Sequence, residues 1–142
     1  MTILKKRFSS PAVAEPVPGM WTNCMTVGNI AYISGMTARS NDRVTIQGKD
    51  EYEQSRVIFQ KIKDLAEAAG GSINDVVKMT IFVVNIEHNH LVWKARQEFF
   101  SGDFPACTLV EVKSLAKGAS AEILVEIDGI AHIGCSGEKA AA

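Results

Sequence analysis

Phe104-Pro105-Ala106-Cys107-Thr108-Leu109-Val110-Glu111-Val112 is followed, beyond the loop Lys113–Ser120, by Ala121-Glu122-Ile123-Leu124-Val125-Glu126-Ile127-Asp128-Gly129-Ile130-Ala131-His132-Ile133. Both stretches are rich in β-branched and apolar residues and are separated by turn-forming ones, which predicts two strands. An antiparallel pair centred on that loop sets Cys107 opposite Glu126 on one face. Along the second strand, Ile123, Val125, Ile127 and Gly129 point one way and Leu124, Glu126, Asp128 and Ile130 the other. Both faces therefore carry apolar residues. Helices can cover only one of them, so the other needs a second covering surface, most simply another subunit. A thiol facing a carboxylate within an apolar hairpin is unusual for packing alone, and the pair is the first place to look for function.

Working outward, residues 1–19 hold Pro11, Pro16 and Pro18 and read as an extended lead-in. Met20–Thr26 and Ile30–Gly35 flank Val27-Gly28-Asn29, a hairpin turn because Gly and Asn tolerate positive φ. Arg39 to Lys49 is polar and is expected to be a loop. From Asp50 to Ala69 the positions Tyr52, Phe59, Ile62, Leu65, Ala66 and Ala69 trace one helical stripe, closed by Gly70-Gly71 as the C-cap. Ser72-Ile73-Asn74-Asp75 turns into a strand from Val76 to Val84, and Asn89 to Phe100 reads as a second, shorter helix. The order is ββαβαββ, an α+β layer with two helices packed on one face of a mixed sheet. Residues 1–142 form a single domain, with 134–142 expected as a flexible tail.

Composition narrows the function classes. A chain of 142 residues suits one domain, and 46% hydrophobic with 22% charged residues argues against disorder. The net charge of −1 steers the protein toward neither nucleic acid nor an anionic membrane. No apolar run reaches membrane-spanning length, and no secretory h-region opens the chain. Three widely spaced cysteines make neither a disulfide framework nor a Cys-x-x-Cys metal site, so a reducing cytoplasm is expected.

Several pieces carry a family resemblance in their order and spacing. They are Gly28-Asn29 before Tyr32-Ile33-Ser34-Gly35, then Ala68-Ala69-Gly70, then Asp75 to Val83, then Glu98-Phe99-Phe100. Phe104-Pro105-Ala106, the Val-Glu-Val strand, the Leu-x-Lys-Gly turn and the Val-Glu-Ile-x-x-Ile-Ala strand complete the set. Over roughly Met20 to Ile133 the chain resembles the RidA/YjgF family of small trimeric proteins. The resemblance implies a chorismate-mutase-like fold, a homotrimer whose sheets enclose a central barrel-like core, and clefts between subunits. It also implies cofactor-free hydrolysis of a reactive imine or enamine to a keto product and ammonia. In that family an arginine after Phe-Pro-Ala grips a substrate carboxylate, and a glutamate on the last strand handles the attacking water. Glu126 occupies the glutamate position and Ser34 the serine of the Ser-Gly pair. Cys107 occupies the arginine position, and a thiol cannot replace five donors and a fixed positive charge. Trp21 stands where a tyrosine is usual and Trp93 near a common asparagine, implying a pocket remodelled toward a larger or aromatic ligand.

Three readings of Cys107 stay open: a small buried hydrophobe, a thiol lining the pocket, or a nucleophile. A facing carboxylate disfavours the thiolate unless it accepts the proton itself. His132 shares the Glu126 face but lies about 20 Å along the strand, too far for a dyad with Cys107. Glu126 is read as the catalytic carboxylate, because burial among apolar neighbours raises its pKa toward the range useful for proton transfer. The competing reading is a structural hydrogen bond at a subunit interface. Ser34 and the backbone around Gly35 are candidates to hold polar ligand atoms. Arg39 is a candidate to restore the missing positive charge, ahead of Lys94 and Arg96, and Trp21 and Trp93 are candidate pocket walls. His88, Asn89 and His90 lack a third ligand at metal spacing, so neither metal nor cofactor is expected. No phosphate loop, Ser-His-Asp order or nucleic-acid motif is present, and the ribonuclease label used within the family finds no basic stripe to support it. The expected function is a hydrolytic imine/enamine deaminase. The alternatives are a trimeric small-molecule-binding protein without chemistry and a Cys107-dependent hydrolase on the same scaffold.

Overall fold

A computed structural model of the chain describes residues 2–116 and 122–138. Its elements are β1 (Lys5–Phe8), β2 (Cys24–Val27), β3 (Ile30–Met36), α1 (Glu51–Ala68), β4 (Val76–Val83), α2 (Asn89–Phe99), β5 (Ala106–Glu111) and β6 (Val125–His132). The expected order is present, preceded by one further strand: within the stretch read as an extended lead-in, Lys5–Phe8 pairs antiparallel with β2. That strand escapes pattern reading because Lys5-Lys6-Arg7-Phe8 has no apolar alternation and sits at a solvated edge.

The sheet order is β1-β2-β3-β6-β4-β5. All neighbours are antiparallel except β4 and β5, which are parallel. β2 and β3 form the expected hairpin, with Val27 opposite Ile30 and Gly28 at φ 60° in the turn. α1 carries the chain from β3 to β4 and α2 carries it from β4 to β5. Strands that run parallel need such crossovers, and both helices lie over the same face.

This topology overturns the expected pairing of the last two strands. β4 lies between β5 and β6, so Cys107 is opposite Met79 and Glu126 is opposite Phe82. Met79 is buried under the helices while Phe82 belongs to the other face, so Cys107 and Glu126 lie on opposite faces. The physical reason is the length of the connection. β5 ends at Glu111 and β6 begins at Val125, and the chain between them is far longer than the two to five residues of a hairpin loop. β6 lies instead between β3 and β4. The Lys117-Gly118 part of the expected turn lies outside the described residues.

The alternation read in the last strand is present: Val125, Ile127, Gly129 and Ala131 are buried, and the residues between them are half-buried. α1 begins at the N-cap Asp50, whose side chain accepts the Glu53 N–H at 2.8 Å, and Gly70 follows its end at φ 97°. Its stripe of Ile58, Phe59, Ile62 and Leu65 is fully buried against Met79, Ile81, Val83 and Ile127. Phe59 also meets Phe100 edge-to-face at 5.8 Å, joining α1 to the end of α2. Full burial of such side chains contributes about 1.5–3 kcal/mol each. Among the described residues, no helix is long and apolar enough to cross a membrane.

The residues following β6, expected to open a flexible tail, are docked. Asp75 accepts the N–H groups of Gly134 and Ser136, each at 2.9 Å, and Ser72 donates to Glu138 at 2.6 Å. The remainder of the expected tail lies outside the described residues.

Candidate active site

Glu126 projects from the open face of β6, away from the helices, and is half-buried. Between Ile33 and Met36 the pairing of β3 with β6 slips by a bulge, and Gly35 sits in it. A β-carbon at Gly35 would lie 3.0 Å from Glu126 Cδ and 3.1 Å from its Oε2, so the carboxyl group rests in the space a side chain would fill. Burial pushes the Glu126 pKa up from its ordinary 4.5, and the neighbouring Asp128 charge adds to the effect. A carboxylate that holds its proton more tightly than usual, on a glycine floor, can accept a proton from water and return it.

Ser34 adjoins this floor, but its hydroxyl donates to the Thr22 carbonyl at 2.6 Å and its N–H to the Asn23 carbonyl at 2.9 Å. Its proton is committed to holding the segment before β2 against β3, and its oxygen is left to accept. Trp21, at the end of that segment, is 57% exposed. Trp21, Gly35 and Arg39 line one cavity of ≈ 440 Å³, formed between the 13–23 segment and the chain leaving β3. That volume lies in the range of small-molecule sites. Arg39 donates from Nη1 to the Arg43 carbonyl at 3.3 Å, closing the loop that carries both arginines.

Two candidates stand elsewhere within one chain. Trp93 lies on the exposed side of α2, away from this cavity. Cys107 is exposed on the edge strand β5. Two strand spacings across and three register positions along separate it from Glu126, roughly 10 Å in each direction. Cys24 is fully buried, and burial, then the charge of Glu15, raises its thiol pKa to about 11, so it stays protonated at neutral pH. His88 pairs through Nδ1 with Glu51 Oε2 at 2.7 Å, and no group of three potential metal ligands occurs among the described residues.

Three charged residues of the cavity carry no signal in the sequence: Glu15, Arg43 and Lys61. Lys61 looks like any polar position on a helix, and only the path of the chain after β3 shows that its ammonium points toward backbone carbonyls.

The profile of the family described as Endoribonuclease L-PSP matches residues 13–133. The crystal structure of RidA from an Antarctic Psychrobacter superposes with a TM-score of 0.80 at 29% identity, covering 90% of this chain and 99% of that one. The chain belongs to the RidA/YjgF family. A 2-iminobutanoate/2-iminopropanoate deaminase of Dermatophagoides farinae is 36% identical over 122 residues, which is 84% of this chain and 92% of that protein. The Rid-family protein YyfA of Yersinia pestis matches with a TM-score of 0.81 at 30% identity, over 92% of this chain and all of that one (100%). The α+β fold of this RidA/YjgF chain, two helices on one face of a six-stranded mixed sheet, agrees with those structures.

Proposed function

We propose that this protein is a hydrolytic deaminase of small reactive imine or enamine compounds. The observation that carries the reading is the Glu126 carboxyl, its pKa raised by burial, held on Gly35, which also lines a cavity of ligand size. Its similarity to the Dermatophagoides deaminase supports the same chemistry. Water attacks the C=N carbon while Glu126 takes one of its protons. Glu126 delivers that proton to nitrogen and a carbinolamine forms; Glu126 then carries the carbinolamine's hydroxyl proton to nitrogen, the C–N bond breaks, and a keto product and ammonia leave. An enamine enters the same route after protonation at carbon to its imine. Neither carbon nor nitrogen is oxidised or reduced overall, so the balance calls for no redox cofactor.

The assembly is proposed to be a homotrimer with the cleft between subunits. In that arrangement Cys107 and Trp93, exposed on β5 and α2, reach the site from a neighbouring subunit, where Cys107 lines the pocket. The free cysteines suit a reducing compartment such as the cytoplasm.

The test is keto-acid release from freshly generated aliphatic and aromatic 2-imino acids by wild type, Glu126→Gln and Cys107→Arg. Wild type is expected to accelerate release, and Glu126→Gln to lose about 10²-fold or more. Full activity in Glu126→Gln sinks the mechanism. If wild type and both variants are inert, the protein is a binder rather than a deaminase. If Cys107→Arg alone is active, the scaffold is competent and the natural ligand lies outside simple imino acids.

A further inference from the structure

The cavity beside Gly35 is more basic than the protein that contains it. Arg39, Arg43 and Lys61 line it against a single carboxylate, Glu15, while the whole chain carries a net charge of −1. Lys61 rises from the middle of α1 and donates to the Thr37 carbonyl at 2.7 Å and the Arg39 carbonyl at 2.5 Å. An ammonium has three donors, so one remains. Among the described residues, no carboxylate lies within ion-pairing distance of Lys61. Two backbone carbonyls thus fix the position of a partly buried charge and leave it without a counter-ion. Glu15, whose Oε1 is buried without a hydrogen-bond partner, is an acceptor that no anion satisfies, so the end of the cavity that favours an anion is the one at Lys61. Trp21, a broad apolar ring, also lines the cavity.

We propose that Lys61, with the Arg39 charge beside it, forms the anion subsite of this protein and takes the carboxylate of a ligand whose apolar, ring-sized body lies against Trp21. The position that follows Phe-Pro-Ala holds a thiol, and the charge that fixes the ligand's orientation comes instead from α1 and the loop after β3. Lys61 is the specificity-determining residue. Burial, and then the Arg39 charge, lower its pKa to about 8, so at neutral pH it is an ammonium held at a cost that an incoming anion relieves. Applied to the proposed deaminase, which this inference rests on for its substrate class, the preferred substrates are aromatic imino acids over small aliphatic ones and over imines without a carboxylate.

Titration calorimetry with 3-phenylpropanoate and its neutral counterpart 3-phenylpropanol tests the subsite without turnover. Wild type is expected to bind the carboxylate at least tenfold more tightly than the alcohol. Lys61→Gln is expected to abolish most of that difference while leaving the alcohol's affinity unchanged, and Lys61→Arg to retain it. A merely structural lysine would weaken both ligands together. Equal affinity for the two ligands in wild type, or an undiminished preference in Lys61→Gln, overturns the proposal. Tighter binding of inorganic phosphate than of 3-phenylpropanoate overturns the carboxylate assignment. Because binding is read directly, a protein that shows the preference yet hydrolyses no imine would refute the deaminase reading and leave the subsite standing.

Discussion

The Glu126 carboxyl rests against Gly35, and each residue makes its own prediction. A methyl group at Gly35 would approach Glu126 to 3.0 Å, yet what it meets is the end of a flexible side chain rather than backbone. Gly35→Ala is therefore expected to cost less than about 1 kcal/mol of stability. By displacing the carboxyl it should lower deaminase activity at least about tenfold. A variant with reduced stability and intact turnover would show that the carboxyl position does not matter. For Glu126→Gln the pH dependence carries the sign. The folded pKa lies above 4.5, so the folded state binds this proton more tightly than the unfolded chain does. The resulting penalty is absent below 4.5, grows as pH rises through the folded pKa, and is full above it. The glutamine variant lacks it, so its denaturation midpoint should gain on wild type between about pH 4 and neutrality. A constant difference across that range would mean that Glu126 is not desolvated. Glu126 was legible in the sequence because it interrupts an alternating strand. Its partner was not, since Gly35 meets it only through a bulged pairing between strands far apart in the chain. Lys61 was illegible for a different reason: its charge on a helix has the pattern of a solvated residue.

Among the elements, the short turn Ile73–Asp75 does more than join α1 to β4. Asp75 is fully buried. Burial alone would raise its pKa, but hydrogen bonds from Ser136 and from the N–H groups of Gly134 and Ser72 outweigh that and hold it low. It thereby locks the segment after β6 to the start of β4. Asp75→Ala strands those donors in a buried place and is expected to cost about 2–4 kcal/mol in urea unfolding. The contribution is present above the ordinary 3.8 and is lost as pH falls through the lowered folded pKa, so the wild-type advantage should shrink on acidification. A loss below about 1 kcal/mol would show the segment to be loosely held. The elements were mostly legible because local chemistry writes them: Asp50 starts α1, Gly70 follows its end, and Gly28 turns the first hairpin. Their pairing was less so. Strands next to each other in sequence pair about two-thirds of the time, and β5 and β6 are an exception. β4 offers alternating apolar residues along its whole length, and nothing in the β5 or β6 sequence alone reveals that both take it as neighbour.

For the whole molecule, the open sheet face sets the question of assembly. The helices cover Met79, Ile81, Val125 and Ile127, while the opposite face presents Tyr32 at 47% exposure, Val110 at 39%, and the half-buried Phe82 and Ile130. β5 adds an edge strand exposed along most of its length. An apolar face next to an open edge is a liability for a lone chain and a natural contact for further copies of it. Ile130 lies at the centre of this face, opposite Tyr32 on one side and Lys78 on the other. If copies of the chain meet there, Ile130→Glu buries a carboxylate among apolar side chains, at a cost of several kcal/mol per subunit, enough to separate them. If the face is solvated, the same change stays within about 0.5 kcal/mol. Sedimentation equilibrium distinguishes the two: wild type is expected at three times the 15.4 kDa chain mass and Ile130→Glu near one. The wild-type melting temperature should also rise with protein concentration, since folding and association are then linked by mass action, and the variant's should not. A wild type that sediments as a single chain, with a concentration-independent melt, would refute the trimer. It would also leave Cys107 and Trp93 with no route to the Glu126 carboxyl, so the reaction would have to be carried by the Gly35 cavity of one chain alone.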